Sequence, residues 1–249
     1  MAKTLIKSEN NIKVNKNFSG LKLKRVDQLR TVSETKREFY TYYTRPVNSV
    51  YRRAVEELMV EMHLLSVNVE FRYNPIFANG VINSYQRFMQ GYQPEKERVE
   101  IFEALFRALK INSSSYQQDS DEVLSAVKGK SLDDLLVSLE SNDSDIFSQS
   151  LKEIGKESRF KYSRLFAIGL YNILTSVEPD LAKNTERREE YLKKFAQQLK
   201  LPQDKLVKDI DSYRSNLEKM EQILLVIEET AESDRKNREK KEQVMSSDS

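Results

Sequence analysis

Eight apolar residues, Leu206, Ile210, Tyr213, Leu217, Met220, Leu224, Ile227 and Ala231, recur at spacings of 4, 3, 4, 3, 4, 3 and 4 with charged residues around them. A seven-residue repeat places these side chains on one stripe of an α-helix; it cannot be an alternating strand. The pattern predicts a helix from Pro202 to about Lys240, on the order of 55–60 Å long at roughly 1.5 Å per residue. That exceeds the ~30 Å diameter of a small domain. Part of the helix must lie along the body, protrude from it, or meet a partner. The spacing leaves open whether the seam closes within the chain or against another protein or a second copy. For the latter case Leu217, Met220, Leu224 and Ile227 are the candidate contact residues. Past Ala231 the run from Glu232 to Gln243 has no apolar face, so residues 232–249 are expected to form a charged, solvated, fraying tail.

Six glycines and five prolines among 249 residues are few for a strand-rich fold, which needs turn formers. With 39% apolar and 32% charged residues, the composition fits one all-α domain, expected over residues 31–231. Thr31 and Glu34 have capping-box spacing at the start of a short helix, which Arg45-Pro46 ends. Asn48 caps a longer helix whose stripe is Tyr51, Ala54, Val55, Leu58, Met62 and Leu65, while Val60 and Leu64 lie nearly opposite. Two apolar faces predict that this helix is wedged centrally. Val67–Asn74 alternates like a strand but has no partner, and reads as an extended connection. Helices are expected over Pro75–Gln90, after Pro94 with a stripe from Ile101 to Leu109, and over Phe160–Val177, which is apolar nearly all round. Another carries Tyr191, Leu192, Phe195 and Leu199. The Ser- and Asp-rich middle predicts only short helices near 121–127, 132–139 and 146–154, joined by loops.

The net charge is +2, but residues 1–30 hold eight Lys or Arg against two acidic residues, so that segment carries +6 and the remainder −4. It reads as a basic, disordered N-terminal extension, with attraction to lipid headgroups or nucleic acid as the alternative. The acidic remainder argues against a single-stranded nucleic-acid groove, so no nucleic-acid partner is expected. Cysteine is absent, which excludes disulfides and thiolate metal sites. The longest uncharged stretches fall short of the ~20 apolar residues a transmembrane helix needs.

Chemistry is scarce. His63 is the sole histidine, placed by helical geometry at the edge of the main stripe as a satisfied structural residue. Residue 60 is Val where a di-iron ExxH motif needs Glu, and no HExxH or phosphate-cradling glycine loop is present. Glu57 and Glu61 read as an Arg-paired or solvated face, with Arg52–Glu56 and Arg53–Glu57 as i,i+4 pairs. No catalytic, cofactor or metal residue is assigned. A haem oxygenase-like helical enzyme is the enzymatic alternative, weakened because Gly155 and Gly169 lie too far apart to open a distal helix.

From Thr31 to Tyr92 the blocks TVSETK, RPVNSVYRR, EELMVEMHLLSVN, FRYNPIFANG and RFMQGY occur in one order. This resembles the thylakoid formation proteins, also called photosystem II biogenesis proteins, of cyanobacteria and plastids. The extension before residue 31 departs from cyanobacterial members, which begin near TVSETK. The resemblance implies a non-enzymatic accessory role in thylakoid biogenesis and photosystem II assembly and repair. It implies as partners a membrane-bound FtsH-type AAA protease and the photosystem II assembly machinery. The expected location is peripheral, on the cytoplasmic face of the thylakoid or in the cytoplasm, or in the stroma of a plastid. Within the aromatic-rich block, Arg45, Tyr51 and Arg52 are candidate docking residues, since Tyr and Arg are favoured at interface hot spots.

Overall fold

The computed structural model describes residues 30–139, 144–157 and 159–247; the basic segment 1–29 lies outside the described residues, as does any reading of it. Among the described residues the fold is all-α, with no strand. Local signals set most of the boundaries. Helix α1 (Val32–Tyr42) opens on a full capping box, the Glu34 carboxylate accepting from Thr31 N at 2.7 Å while Thr31 Oγ1 accepts from Glu34 N. Asn48 caps α2 (Ser49–Ser66). Asn74 caps α3 (Pro75–Phe88), with proline in the first turn where its missing N–H costs nothing. Then follow α4 (Glu95–Leu109), α5 (Ser113–Val127), α6 (Leu132–Val137), α7 (Ile146–Lys156) and α8 (Arg164–Val177). A 3₁₀ turn at Pro179–Ala182 leads to α9 (Thr185–Gln198) and α10 (Gln203–Ser247).

Four expectations differ from what is found. Helix α5 begins at Ser113, well before residue 121. The Asn112 side chain caps it, and its exposed polar face is held by amide–carboxylate bonds one turn apart, Gln117 to Asp121 and Gln118 to Glu122. Val67–Asn74 is a turn followed by loop, its chain reversed by Asn68, which accepts from Phe71 N and Glu70 N. Helix α2 is not central: its stripe from Tyr51 to Leu65 is buried, but Val60 is half-buried and Leu64 exposed, both lining an open groove beside Arg52 and Tyr162. Finally, α10 does not end near Lys240 but runs 45 residues to Ser247, about 67 Å at roughly 1.5 Å per residue. Its last turns lack an apolar face, yet Glu, Lys and Arg are good helix formers, no Gly or Pro interrupts them, and Glu232 pairs with Lys236 at 3.9 Å.

The centre of the fold is the crossing of α3 and α8. A Cβ added to Gly80 would stand 1.8 Å from Leu165 O and 2.9 Å from Gly169 N. One added to Gly169 would stand 1.9 Å from Ile76 O and 2.8 Å from Gly80 N. The contact is reciprocal, each glycine meeting the carbonyl four residues before the other. Only residues without a Cβ allow two helix backbones this close. The two helices also share a pattern, Phe-Ala-x-Gly-x-x-Asn, at Phe77–Asn83 and Phe166–Asn172. Both phenylalanines are fully buried.

The paired asparagines extend the crossing into a hydrogen-bonded chain through the core. Tyr213 of α10 donates to Asn83 Oδ1 at 2.8 Å, Asn83 Nδ2 to Asn172 Oδ1 at 2.9 Å, Asn172 Nδ2 to Asn79 Oδ1 at 2.9 Å, and Asn79 Nδ2 to Ser120 Oγ at 2.9 Å. Each amide spends one donor and one acceptor inside the chain, which is what makes burying it tolerable. The chain ties α10, α3, α8 and α5 into one register.

Gly80→Ala and Gly169→Ala are each expected to destabilise by at least the ~1–3 kcal/mol typical of overpacking, lowering the melting temperature by about 2–4 °C per kcal/mol. Gly155→Ala is the control, because a Cβ there meets nothing within 4 Å and α7 gains helix propensity. Thermal unfolding checks this; equal melting of all three variants would mean the crossing is slack.

Candidate interaction surface

The seven residues singled out from the sequence fall into three environments. Arg45 is half-exposed and pairs with Glu97 at 3.3 Å and with Glu100, its guanidinium lying 5.2 Å from the Tyr43 ring centroid. These contacts fasten the α1–α2 connection to α4. Arg52 is exposed on α2. The i,i+4 partner expected for it, Glu56, instead accepts from Lys36 at 2.7 Å and Tyr40 at 3.2 Å, joining α2 to α1. The strong Lys36 hydrogen bond holds the Glu56 carboxyl below its ordinary pKa. Tyr51 is a core residue, its hydroxyl donating to Gln90 O at 3.2 Å and its ring edge-on to Tyr92 at 4.9 Å.

The other four lie on α10 and divide along its length. Leu206, Ile210, Tyr213, Leu217 and Met220 are buried against the body, so the first half of the seam closes within the chain. Leu224 is half-buried, seated close to Gly91, whose φ of +78° makes the reversal between α3 and α4. From there the helix has no cover: Ile227 is 46% exposed and Ala231 is open. Counting only heptad positions overlooks three neighbours, Ile223, Leu225 and Val226, exposed at 47%, 58% and 61%. Five consecutive apolar residues cover every side of a helix at 3.6 residues per turn. The contiguous run Ile223–Ile227 within a charged helix was the signal available in the sequence. Acidic residues follow it directly at Glu228, Glu229 and Glu232.

His63 is buried rather than at a boundary. Arg30 donates to Thr35 Oγ1 at 3.1 Å, and Thr35 Oγ1 lies 2.9 Å from His63 Nδ1. A guanidinium only donates, so Thr35 accepts from Arg30, and its hydroxyl shares a second hydrogen bond with His63 Nδ1, the ring tautomer setting which of the two donates. Burial, followed by the nearby Arg30 charge, pushes the His63 pKa below 6.5. Gly169, one of the two glycines weighed for a haem-facing helix, is taken up by its contact with α3. Glu57 pairs with Arg53 at 2.7 Å and Glu61 with Arg164 at 2.7 Å, the Arg-paired face expected. Among the described residues no group of three or more His, Asp or Glu could hold a metal ion, and no helix is long and apolar enough to cross a membrane.

The sequence model of the family described as thylakoid formation protein matches residues 31–242, from the Thr31 cap of α1 into the last turns of α10. The chain belongs to this family. It is 52% identical over 219 residues to Protein Thf1 of Gloeothece citriformis, covering 86% of this chain and 97% of that one. To Protein Thf1 of Synechocystis sp. it is 46% identical over 216 residues, covering 86% and 90%. A solved structure, titled as that of Psb29 at 1.55 Å, superposes with a TM-score of 0.75 at 42% identity, covering 84% of this chain and 98% of that one. The family match takes in both the buried half of α10 and its uncovered apolar stretch.

The His63 arrangement carries a pH signature. A folded-state pKa depressed below the unfolded value means the unfolded chain binds the proton more readily. Stability contributed by neutral His63 is therefore present above pH 6.5 and is lost as the pH falls below it. Urea midpoints measured between pH 7.5 and 5.5 should drop for the native chain and stay flatter for His63→Gln. Parallel pH profiles would show that His63 is not held neutral by the fold.

Proposed function

We propose that this chain is a non-enzymatic helper in building and maintaining photosynthetic membranes, including photosystem II assembly and repair, and that it supports a membrane-bound FtsH-type protease. Membership of the thylakoid formation family supports the general role. The observation that carries the interaction reading is the exposed apolar group Ile223, Leu225, Val226 and Ile227, on a helix whose preceding turns are locked into the core. An exposed apolar cluster of this kind is characteristic of a surface that is covered by a partner. A helix that enters a partner's groove through apolar anchors is a recurrent recognition mode, and rigid anchoring of its base lowers the entropy lost on binding. The flanking acidic residues disfavour an anionic membrane surface as the cover for this stretch and favour a protein groove with a basic rim. Peripheral association with the cytoplasmic face of the thylakoid then follows from the partner.

The combined variant Leu225→Glu and Ile227→Glu alters residues that the body does not bury, so its melting temperature is expected to stay close to that of the native chain. A tagged native chain recovered from detergent-solubilised cyanobacterial membranes should bring the FtsH-type protease with it, and the double variant should lose most of it. Equal recovery by a normally folded variant, or no protease with the native chain, would contradict the proposal.

A further inference from the structure

A cavity of about 350 Å³ lies between α2, α3, α8 and α10, a size within the ~300–1,000 Å³ of small-ligand sites. Its wall is largely apolar, with Val55 and Leu58 from α2, Phe88 from α3, Leu165 and Ile168 from α8, and Met220 from α10. Tyr85, Tyr213 and Asn216 line it too, the two tyrosine hydroxyls being bonded to Arg98 O and Asn83 Oδ1, but one hydroxyl is left unpaired. Ser84 is only 4% exposed, and its Oγ has no hydrogen-bond partner. Native structures seldom leave such a group unpaired, because its lost hydration is not returned.

The rim of the cavity is cationic. Arg53, Arg164 and Lys219 line it with Glu57 as the one carboxylate. Arg53 is matched by Glu57 and Arg164 by Glu61, but among the described residues no carboxylate pairs with Lys219. A largely apolar chamber with one unpaired buried hydroxyl and an unmatched cation at its edge suits a ligand with a hydrocarbon chain and an acidic head.

We propose that this cavity takes one alkyl chain of an anionic amphiphile, a free fatty acid or a membrane lipid, with the chain against the apolar wall and the head oxygens held by Ser84 and Lys219. The site is separate from the partner-binding reading and does not rest on it. Its location nevertheless matters for α10. Tyr213, Asn216, Met220 and Ile223 form one side of the chamber, so an occupant braces the helix where its apolar stretch leaves the body.

The test is calorimetric titration and thermal unfolding of the full chain with dodecanoate below its micelle concentration, with dodecan-1-ol as the uncharged comparison. Dodecanoate should bind saturably and raise the melting temperature. Ser84→Ala should weaken it about fivefold, the value of one hydrogen bond. Lys219→Glu, at an exposed position that should not disturb folding, should weaken dodecanoate by a similar factor while sparing dodecan-1-ol. Phosphatidylglycerol vesicles form the second arm. Sedimentation with them that is lost in the same two variants identifies membrane lipid as the source, whereas dodecanoate binding without sedimentation identifies the free acid. No dodecanoate binding, or binding untouched by both substitutions, overturns the proposal.

Discussion

Two helix backbones touch where α3 crosses α8, and α2, α5, α7 and α10 pack directly on that pair. At Gly80 and Gly169 the space a methyl group would need is filled by the opposite helix, so carbonyl and amide groups of the two helices become neighbours. Close approach brings Asn83 and Asn172 within hydrogen-bonding distance, and their amides pass the pairing on to Tyr213 and Ser120. A continuous polar chain of this kind favours one alignment of its helices, because slipping by a turn would break several of its bonds at once. The apolar core supplies most of the driving force; the crossing decides which arrangement it stabilises.

Helix α10 inherits its behaviour from the same centre. Tyr213 is bonded into the asparagine chain, and Leu206, Ile210, Leu217 and Met220 fill the groove around it. Beyond Met220 the body runs out while the apolar sequence continues: Leu224 keeps a half-buried seat near Gly91, but Leu225, Val226 and Ile227 are left exposed. The long helix is thus anchored at one end and available at the other. The cavity containing Ser84 sits at the transition, walled on one side by the anchored turns.

What could be read from the sequence was mostly local. Capping residues Thr31, Asn48 and the prolines at 75 and 94 act through their immediate neighbours, so they located helices without any knowledge of packing. The early start of α5 stayed hidden because its face is polar and its bonds are between side chains one turn apart. Helix α10 runs past the expected end near Lys240 to Ser247 for a related reason: lacking an apolar face is different from lacking helix propensity. Central position was assigned to α2 from its two apolar faces, yet it is the glycines of α3 and α8, ordinarily read as weak points in a helix, that mark the true centre. The interaction surface was legible in part. The heptad located α10 and Ile227, but spacing alone could not tell that Leu217 and Met220 face inward, nor that Tyr51 closes the α3–α4 turn from within. The match between Phe77–Asn83 and Phe166–Asn172 was present in the sequence, but its meaning lies in a contact between segments 89 residues apart.

Hydrogen exchange along α10 of the isolated full chain tests the division of that helix most directly. Amides from Ile210 to Met220 should be protected to nearly the stability of the whole fold, with exchange accelerating sharply from Ile223 onward. Uniform protection from Gln203 through Ala231 would contradict the account, because it would show the apolar stretch already covered within the chain.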